Sequence, residues 1–160
     1  MSSNIINLLW ESFLETILMV GVSGGLGAAI GIPLGVFLFV TSPKGIMPKP
    51  YVNRIIGTVV NAVRSTPFII LLVAIIPFTR LIVGSSIGTV AAIVPLTIAA
   101  APLIARLVET SLREVDKGLI EAAQSMGATN TQIICKVLIP EAMPGILAGL
   151  TIAFVALVGS

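Results

Sequence analysis

The chain has 160 residues, of which 56% are hydrophobic and only 10% are charged, and its formal net charge is +2. Soluble domains carry roughly 25% charged residues, so this composition excludes a water-soluble globule and predicts an integral membrane protein. There is no histidine and a single cysteine, Cys135. These counts argue against histidine-dependent catalysis, most metal sites and an intrachain disulfide, so we expect neither a catalytic residue nor a metal site.

The first apolar run predicts a membrane span. Residues 1–15 contain two glutamates and no basic residue, unlike the front end of a secretory signal peptide. Residues 16–43 carry no charge, which is longer than the about 20 residues that cross a bilayer core. We place the span near 19–40. Its glycines include pairs four residues apart, a spacing that favours close helix packing: Gly21, Gly24, Gly25, Gly27, Gly31 and Gly35.

The glycine-rich run also fits two motifs of enzymes. Gly21 to Gly25 matches the pattern Gly-x-Ser-x-Gly around Ser23, but a nucleophilic serine needs a base, normally histidine, which this chain lacks. Gly25 to Gly31 partly matches a dinucleotide fingerprint without its strand–turn–helix context. Helix packing is therefore the preferred interpretation of these glycines.

The second predicted span contains an unusual charge. Residues 41–53 are rich in proline and predict a loop, and the span follows over about 58–78. An arginine at this depth costs a few kcal/mol unless it reaches water or protein. Two interpretations stay open: the arginine extends toward the cytoplasm, or the residues beside a proline bend line a translocation path. The residues concerned are Arg64, Ser65, Thr66 and Pro67.

Two further apolar runs predict the third and fourth spans. Arg80 ends the second span, so the turn before the third, 81–105, should be very short. Pro95 and Pro102 predict kinks within it. The last run, 142–160, is barely long enough for one crossing.

The segment between these two spans, residues 106–141, is the one long polar stretch of the chain, so it is where a soluble partner could bind. It should leave the membrane as a polar helix that ends at Gly118. Residues 119–126 then predict a short helix that Gly127 ends in the left-handed conformation.

A second helix is predicted after that glycine. Thr129 with Gln132 three residues later forms a capping box in the sequence. An apolar stripe at helical spacing follows. We expect Pro140 to close this helix.

The spacing in this segment resembles the signature loop of ABC-importer permeases: Glu-Ala-Ala, three residues, Gly, nine residues, then apolar–x–apolar–Pro. The matching positions are Glu121, Ala122, Ala123, Gly127, Val137, Ile139 and Pro140. The resemblance implies that the short helix is a coupling helix that binds a cleft of a separate cytoplasmic ATPase. The contact residues would be Leu119, Glu121, Ala122, Ala123, Met126 and Gly127.

Charge placement predicts the orientation. Loop 41–54 has three basic residues, loop 106–141 has four, the turn between the second and third spans has one, and the N-terminus has none. By the positive-inside rule the N-terminus lies outside and loop 106–141 lies in the cytoplasm. This is the side on which an ATPase would bind.

The resemblance narrows further to the permease subunits of bacterial methionine importers. It covers essentially the whole chain and includes the stretches 63–73, 93–102 and 118–122. It implies a single all-α transmembrane domain, 1–160, in the bacterial inner membrane. It also implies a homodimer with two ATPase copies, which bind the ATP and Mg while the permease holds no cofactor, and methionine, including the D form, delivered by a substrate-binding lipoprotein. Transport would proceed by alternating access, and no nucleic acid is expected to bind.

Other functions stay open. A permease for a different small solute could use the same loop, because the loop contacts the ATPase and not the substrate. A scaffold would bind partners without stimulating ATP hydrolysis, and a channel would conduct without it. An ion-coupled transporter is disfavoured because all seven acids lie outside the charge-free runs.

Members of the resembled family continue past the position of Ser160 through an outer segment and a fifth helix, so the sequence looks truncated. We therefore expect little or no transport from this chain and its ATPase alone, because part of the dimer interface and pathway would be missing. The measurement is ATP-driven uptake into vesicles supplied with binding protein. Accumulation of methionine there would contradict the expectation.

Overall fold

A computed structural model of the chain describes residues 2–43, 45–84 and 89–159, with Thr89 and Val90 described by backbone alone. Lys44 of the predicted loop, residues 85–88 of the predicted third span and Ser160 of the fourth lie outside the described residues. Every regular element within these ranges is helical, which confirms the all-α prediction. In chain order they are α1 (Ser2–Val40), α2 (Pro50–Ser65), α3 (Phe68–Ala74), α4 (Ile76–Val83), α5 (Thr89–Arg113), α6 (Lys117–Ser125), α7 (Asn130–Ile133), a π-helical segment (Ile134–Leu138) and α8 (Ile139–Val158).

Three helices of the described chain are long and apolar enough to cross a membrane. They are Ser2–Val40, Ala91–Arg113 and the continuous run Asn130–Val158. A fourth crossing is present if α2 and α3, which meet at a 109° bend, form one broken span. The fold is therefore a polytopic helical membrane protein with three or four spans.

Helix α1 is much longer than the predicted span near 19–40. It begins at Ser2, and residues 2–18 contain no glycine or proline that would interrupt the helix before the predicted span. Its 39 residues extend about 58 Å at 1.5 Å per residue, against a bilayer core of about 30 Å. The fully buried residues of α1 start at Ser23, and Met19 and Val20 just before them are partly buried against the core.

That packing depends on glycines that face α5. Gly27 lies against Ala100, Gly31 against Ala101 and Ile104, and Gly35 against Ala105 and Val108. A Cβ built on Gly31 would lie 2.7 Å from the carbonyl oxygen of Ala101, closer than real side chains approach. The two backbones are therefore in close contact, as predicted from the spacing of these glycines.

Helix α5 forms the centre of the core. Its buried positions recur every fourth residue, so one continuous face of the helix is covered: Leu96, Ala100, Ile104, Val108 and Leu112. Helix α8 packs against another face of α5, where Gly145 meets Ser111 and Gly149 meets Leu107. The helix thus lies between α1 and α8.

Two side chains attach α2 to its neighbours. The Asn53 amide donates to the carbonyl oxygen of Leu38 at 2.7 Å, at the end of α1. The guanidinium of Arg106 in α5 donates to the carbonyl oxygen of Gly57 at 3.1 Å. The Leu38 carbonyl lies in the last turn of α1, where carbonyls lack a helical partner. The Gly57 carbonyl lies inside α2, so the second bond adds a link between α5 and α2.

The boundaries predicted for the second span, 58–78, and for the loop before it, 41–53, are wrong. Helix α2 begins at Pro50, where the fixed φ of proline suits a first helical position. The helix breaks at Thr66, which adopts an extended conformation (φ −77°, ψ 126°) before Pro67. A residue before proline is disfavoured in the helical region, which explains why the predicted bend is a full break.

The very short turn predicted at Arg80 is also wrong. Arg80 lies inside α4, which ends when Gly84 adopts the left-handed conformation (φ 84°). The apolar run 81–105 therefore contains the end of α4 and most of α5. Pro95 and Pro102 both lie within the one helix α5.

Pro140 does not close a helix, contrary to prediction, and the helix of the last span begins before 142. The chain runs helically from Asn130 to Val158. Proline in an α-helix clashes with the carbonyl four residues earlier. Here the wider π-helical segment comes immediately before, and the Ile139 N–H donates to the carbonyl of Ile134, five residues back. The wider turn accommodates the proline.

We predict that Gly31→Ala destabilises the protein. The added methyl would overlap the Ala101 carbonyl and Ile104 Cβ, and overpacking of this kind costs about 1–3 kcal/mol, more than the about 1 kcal/mol that alanine gains in a helix. Thermal unfolding in detergent is the measurement. Gly25→Ala is the control, since nothing lies within 4 Å of its Cβ position; equal melting temperatures for the two variants would contradict the packing.

Candidate functional site

The start of α6 is set by a capping aspartate. Helix α5 ends at Arg113, so the polar helix predicted to run to Gly118 stops five residues earlier. Asp116 Oδ1 then accepts a hydrogen bond from the Gly118 N–H at 2.9 Å. Aspartate is a preferred N-cap because its side chain satisfies a free N–H of the first turn, and this signal in the sequence had been missed.

The end of α6 follows the predicted glycine stop. Gly127 has φ +80°, the left-handed conformation that glycine adopts without strain. Its N–H donates to the Gln124 carbonyl at 3.0 Å, and the Ala128 N–H donates to the Ala123 carbonyl at 3.1 Å. These two bonds form a Schellman motif, which satisfies the last carbonyls of the helix.

The two faces of α6 have different environments. On the inner face, Ile120, Ala123 and the following Ala128 are half-buried against the hydrophobic core. On the outer face, residues at positions i, i+3 and i+7 form an exposed stripe, which we call the outward stripe: Leu119, Ala122 and Met126. Leu119 is 42% exposed and Met126 is 88% exposed. An apolar stripe held outward by a packed inner face is suited to contact another protein.

Glu121 adds one charge beside the outward stripe. Its side chain is exposed, and it makes no ion pair with any described residue. Of the six residues predicted to contact an ATPase, five are thus exposed, and Ala123 lies on the inner face.

The chain leaves α6 through the predicted capping box. The Gln132 N–H donates to Thr129 Oγ1 at 3.2 Å, and the Thr129 N–H donates to Gln132 Oε1 at 2.9 Å. Both bonds fix the first turn of the helical run that continues to Val158. Helix α6 is therefore held between two long helices by short turns with defined backbone bonds.

The second group of predicted residues lies at the bend between α2 and α3. Arg64 is exposed in the last turn of α2, where a cation complements the helix dipole. The hydroxyls of Ser65 and Thr66 donate to the carbonyls of Asn61 and Ala62. These hydroxyls are occupied by local backbone bonds, and this group lies on different helices from the outward stripe.

A buried carboxylate lies near the end of α5. Glu109 is 3% exposed. It pairs with Arg113, four residues later, and with Arg106, whose nitrogen lies 2.7 Å from Glu109 Oε2. Because Arg106 also binds the Gly57 carbonyl, the cluster connects α5 to α2. The bond from Arg106 to Gly57 is tertiary, and no sequence pattern indicated it.

Comparison with known proteins identifies the fold. Residues 27–160 match the family described as "binding-protein-dependent transport system inner membrane component". The chain belongs to this family. It is therefore a multi-pass transport permease of an inner membrane, which confirms the predicted permease fold.

Similar members of the family carry more specific names. The chain is 57% identical to the probable D-methionine transport system permease protein MetI of Vibrio cholerae, over 95% of this chain and 68% of that protein. It is 54% identical to the D-methionine permease MetI of Escherichia coli K12, over 99% of this chain and 73% of that protein.

A solved structure agrees with these sequence matches. A chain of the MetNI methionine ABC transporter in an inward-facing conformation aligns with a TM-score of 0.96 and 53% identity, covering 99% of this chain and 74% of that one. The structural alignment therefore includes nearly the whole of this chain.

We predict that Gly127→Ala loosens the end of α6. A left-handed conformation costs a residue with a side chain about 1–2 kcal/mol, so the Schellman bonds should open about 5–30 times more often. Hydrogen exchange at the amides of Gly127 and Ala128 is the measurement. Gly84→Ala, with a similar φ at the end of α4, should leave exchange in α6 unchanged. Unchanged exchange in Gly127→Ala would contradict the role given to this glycine.

Proposed function

We propose that the chain is the membrane-spanning subunit of an ATP-driven importer that moves methionine, in both the L and D forms, into the cytoplasm. The observation that carries this proposal is the outward stripe of α6. It presents apolar side chains and one carboxylate on a polar loop of a permease whose relatives bear methionine-transport names. The permease performs no covalent chemistry itself.

The partner at α6 is a cytoplasmic ATPase, present in two copies that bind ATP and Mg. Leu119 and Met126 would enter an apolar cleft of that subunit, the small Ala122 would permit close approach, and Glu121 would orient the contact. Ala123 and Gly127 contribute indirectly, by fixing the position and length of α6. Ala123 packs the helix against the core, and Gly127 ends it. A second copy of the permease and a substrate-binding lipoprotein complete the assembly.

The N-terminus lies outside in this proposal. Three basic residues lie in residues 41–54, which end in the first turns of α2, and four lie in the segment from Arg106 to Lys136. The positive-inside rule places both regions in the cytoplasm. The outward stripe then faces the compartment that contains the ATPase.

The attachment of α6 to two long helices explains how the ATPase would drive transport. Its inner face packs on the core, and short turns connect it to α5 and to the helix from Asn130 to Val158. A displacement of α6 by a closing ATPase would therefore act on two long helices at once, and differential contact with the ATPase would shift the balance between two packings. The close match to an inward-facing transporter supports an inward-open state for this conformation.

The translocation path is proposed at the bend between α2 and α3. A proline break in a membrane helix is tolerated where neighbouring protein or water satisfies the backbone. Arg64 lies two residues before Thr66 and forms no ion pair with any described residue, and the polar atoms of Ser65 and Thr66 adjoin the break. Competition among amino acids for binding to the purified complex separates a methionine path from one for another solute.

The test is co-purification of the chain with the neighbouring ATPase in mild detergent. Leu119→Asp places a charge in the outward stripe and removes a leucine contact worth about 1.5–3 kcal/mol, so the ATPase retained should fall by about tenfold or more. Glu121→Lys should weaken retention less, because a single exposed charge contributes little.

Thr131→Asp is the matched control. It adds the same charge to an exposed position of the same loop, away from the outward stripe, and should hold the ATPase as the unmodified chain does. Equal retention by Leu119→Asp and the control would overturn the proposed contact, and so would equal loss from both.

A further inference from the structure

Helix α2 is attached to the rest of the protein at few points. Among its residues, all of which the structure describes, only Val60 is buried. In its first turn, Asn53 binds the Leu38 carbonyl. One turn later, the Gly57 carbonyl accepts a hydrogen bond from Arg106 Nη2 at 3.1 Å. The direction of α2 therefore depends on a small number of contacts, and one of them is a single arginine.

Arg106 joins two helices through its two terminal nitrogens. Nη1 donates to Glu109 Oε2 at 2.7 Å within α5, and Nη2 donates to the Gly57 carbonyl of α2. The Nε atom is buried and has no hydrogen-bond partner among the described residues. Because a guanidinium is planar and its donors point in fixed directions, the bond to Glu109 determines where Nη2 points.

Gly57 leaves room for this guanidinium. A Cβ built on Gly57 would lie 3.3 Å from Arg106 Nη2, closer than most side chains approach. Outside the neighbouring turns of α2, no other atom of the described chain lies within 4 Å of that position. The space beside Gly57 is thus occupied by Arg106.

Glu109 holds Arg106 in this orientation. It is 3% exposed, and its two oxygens accept hydrogen bonds from two different arginines: Oε2 from Arg106 and Oε1 from Arg113. The Arg113 side chain is 63% exposed, whereas that of Arg106 is 23% exposed. Both arginines therefore share one buried carboxylate, but among the described residues it is Arg106 that hydrogen-bonds to α2.

We propose that Arg106 is a positioning residue for the translocation path and that Glu109 acts through it. Residues 57 to 66 lead from the held carbonyl to the bend at Thr66, a distance of about 13 Å along the helix. Beyond the bend, Phe68 of α3 packs separately against the core. The 109° angle between α2 and α3 is therefore set by where α2 is held. The role in transport rests on the path proposed at this bend.

The experiment is hydrogen–deuterium exchange of the purified chain in mild detergent, measured at the amides of α2 and α8. Arg106→Lys keeps the positive charge, but a lysine ammonium lacks the rigid fork that joins two acceptors, so the bond to Gly57 should be lost. Loss of one charged hydrogen bond should make exchange from Gly57 to Ser65 about tenfold faster or more. Exchange in α8 should stay unchanged.

Arg113→Lys is the matched control. It makes the same substitution at the other arginine of the same carboxylate, and it leaves the bridge from Arg106 to Gly57 in place. Exchange in α2 should therefore equal that of the unmodified chain. An effect that came only from weakening the ion pairs of α5 would appear in both variants.

A double-mutant cycle tests whether Glu109 acts through Arg106. Glu109→Gln and Arg106→Gln should each speed exchange in α2, and Arg106→Gln/Glu109→Gln should speed it no further than the larger single effect. Two residues that support one bond give effects that do not add. The double variant also removes both charges, so it avoids the buried unpaired charge that can prevent folding.

A second readout concerns the path itself. In the complex with the ATPase, Arg106→Lys should weaken methionine binding about tenfold, because misplacing Arg64 loses one charged contact. Arg113→Lys should leave the binding of methionine unchanged.

The proposal is overturned if Arg106→Lys and the double variant leave exchange in α2 unchanged, if Arg113→Lys speeds it equally, or if the two effects in the cycle add. Faster exchange in α2 with unchanged methionine binding would overturn the role at the path. The exchange measurement needs neither ATPase nor methionine. Its failure is therefore distinguishable from failure of the importer proposal, which would appear as an unmodified complex that binds no methionine.

Discussion

The close backbone contact between α1 and α5 is the constraint on which the rest of the fold depends. Lipid tails are as apolar as leucine, so helices in a membrane associate through van der Waals packing. Gly27, Gly31 and Gly35 bring α1 against α5 along three successive contacts. With one face of α5 fixed in this way, α8 packs on another face through Gly145 and Gly149. Small residues on both sides therefore determine where α5 lies.

The position of α5 determines the position of α6. Only the short turn from Glu114 to Asp116 separates them, and the inner face of α6 rests on the core that α5 centres. The cluster at Glu109 stabilises the end of α5 and, through Arg106, holds α2 as well. A buried ion pair is weak support for stability, but this one fixes the geometry at the base of the polar loop. The outward stripe is thus presented by the packed membrane helices.

Features that depend on neighbouring residues were predictable from sequence. Gly127, the Thr129 capping box and the break at Pro67 all follow from local backbone rules, and the glycine spacing of α1 predicted its packing. Helix boundaries were less predictable, since the apolar run 81–105 gives no sign that Gly84 ends one helix before another begins. The bond from Arg106 to Gly57 joins residues 49 apart, and only the folded chain brings them together. The family resemblance depended on the spacing of the signature residues within the loop, so errors in the predicted ends of individual helices did not affect it.

The error at Pro140 has a mechanical consequence. If the helix had ended at Pro140, the second half of the polar loop would be a separate helix, joined to the last span by a turn. The π-helical segment instead lets the helix continue from Asn130 to Val158, over 29 residues or about 43 Å. The N-terminal turn of this run, fixed by its capping box, adjoins α6, and its C-terminal part packs on α5. Movement at α6 must therefore either shift this helix as a unit or change its geometry at the π-helical segment, where one backbone bond already spans five residues. Wide turns of this kind are often found at functional sites, and here the wide turn lies between the polar loop and the membrane core.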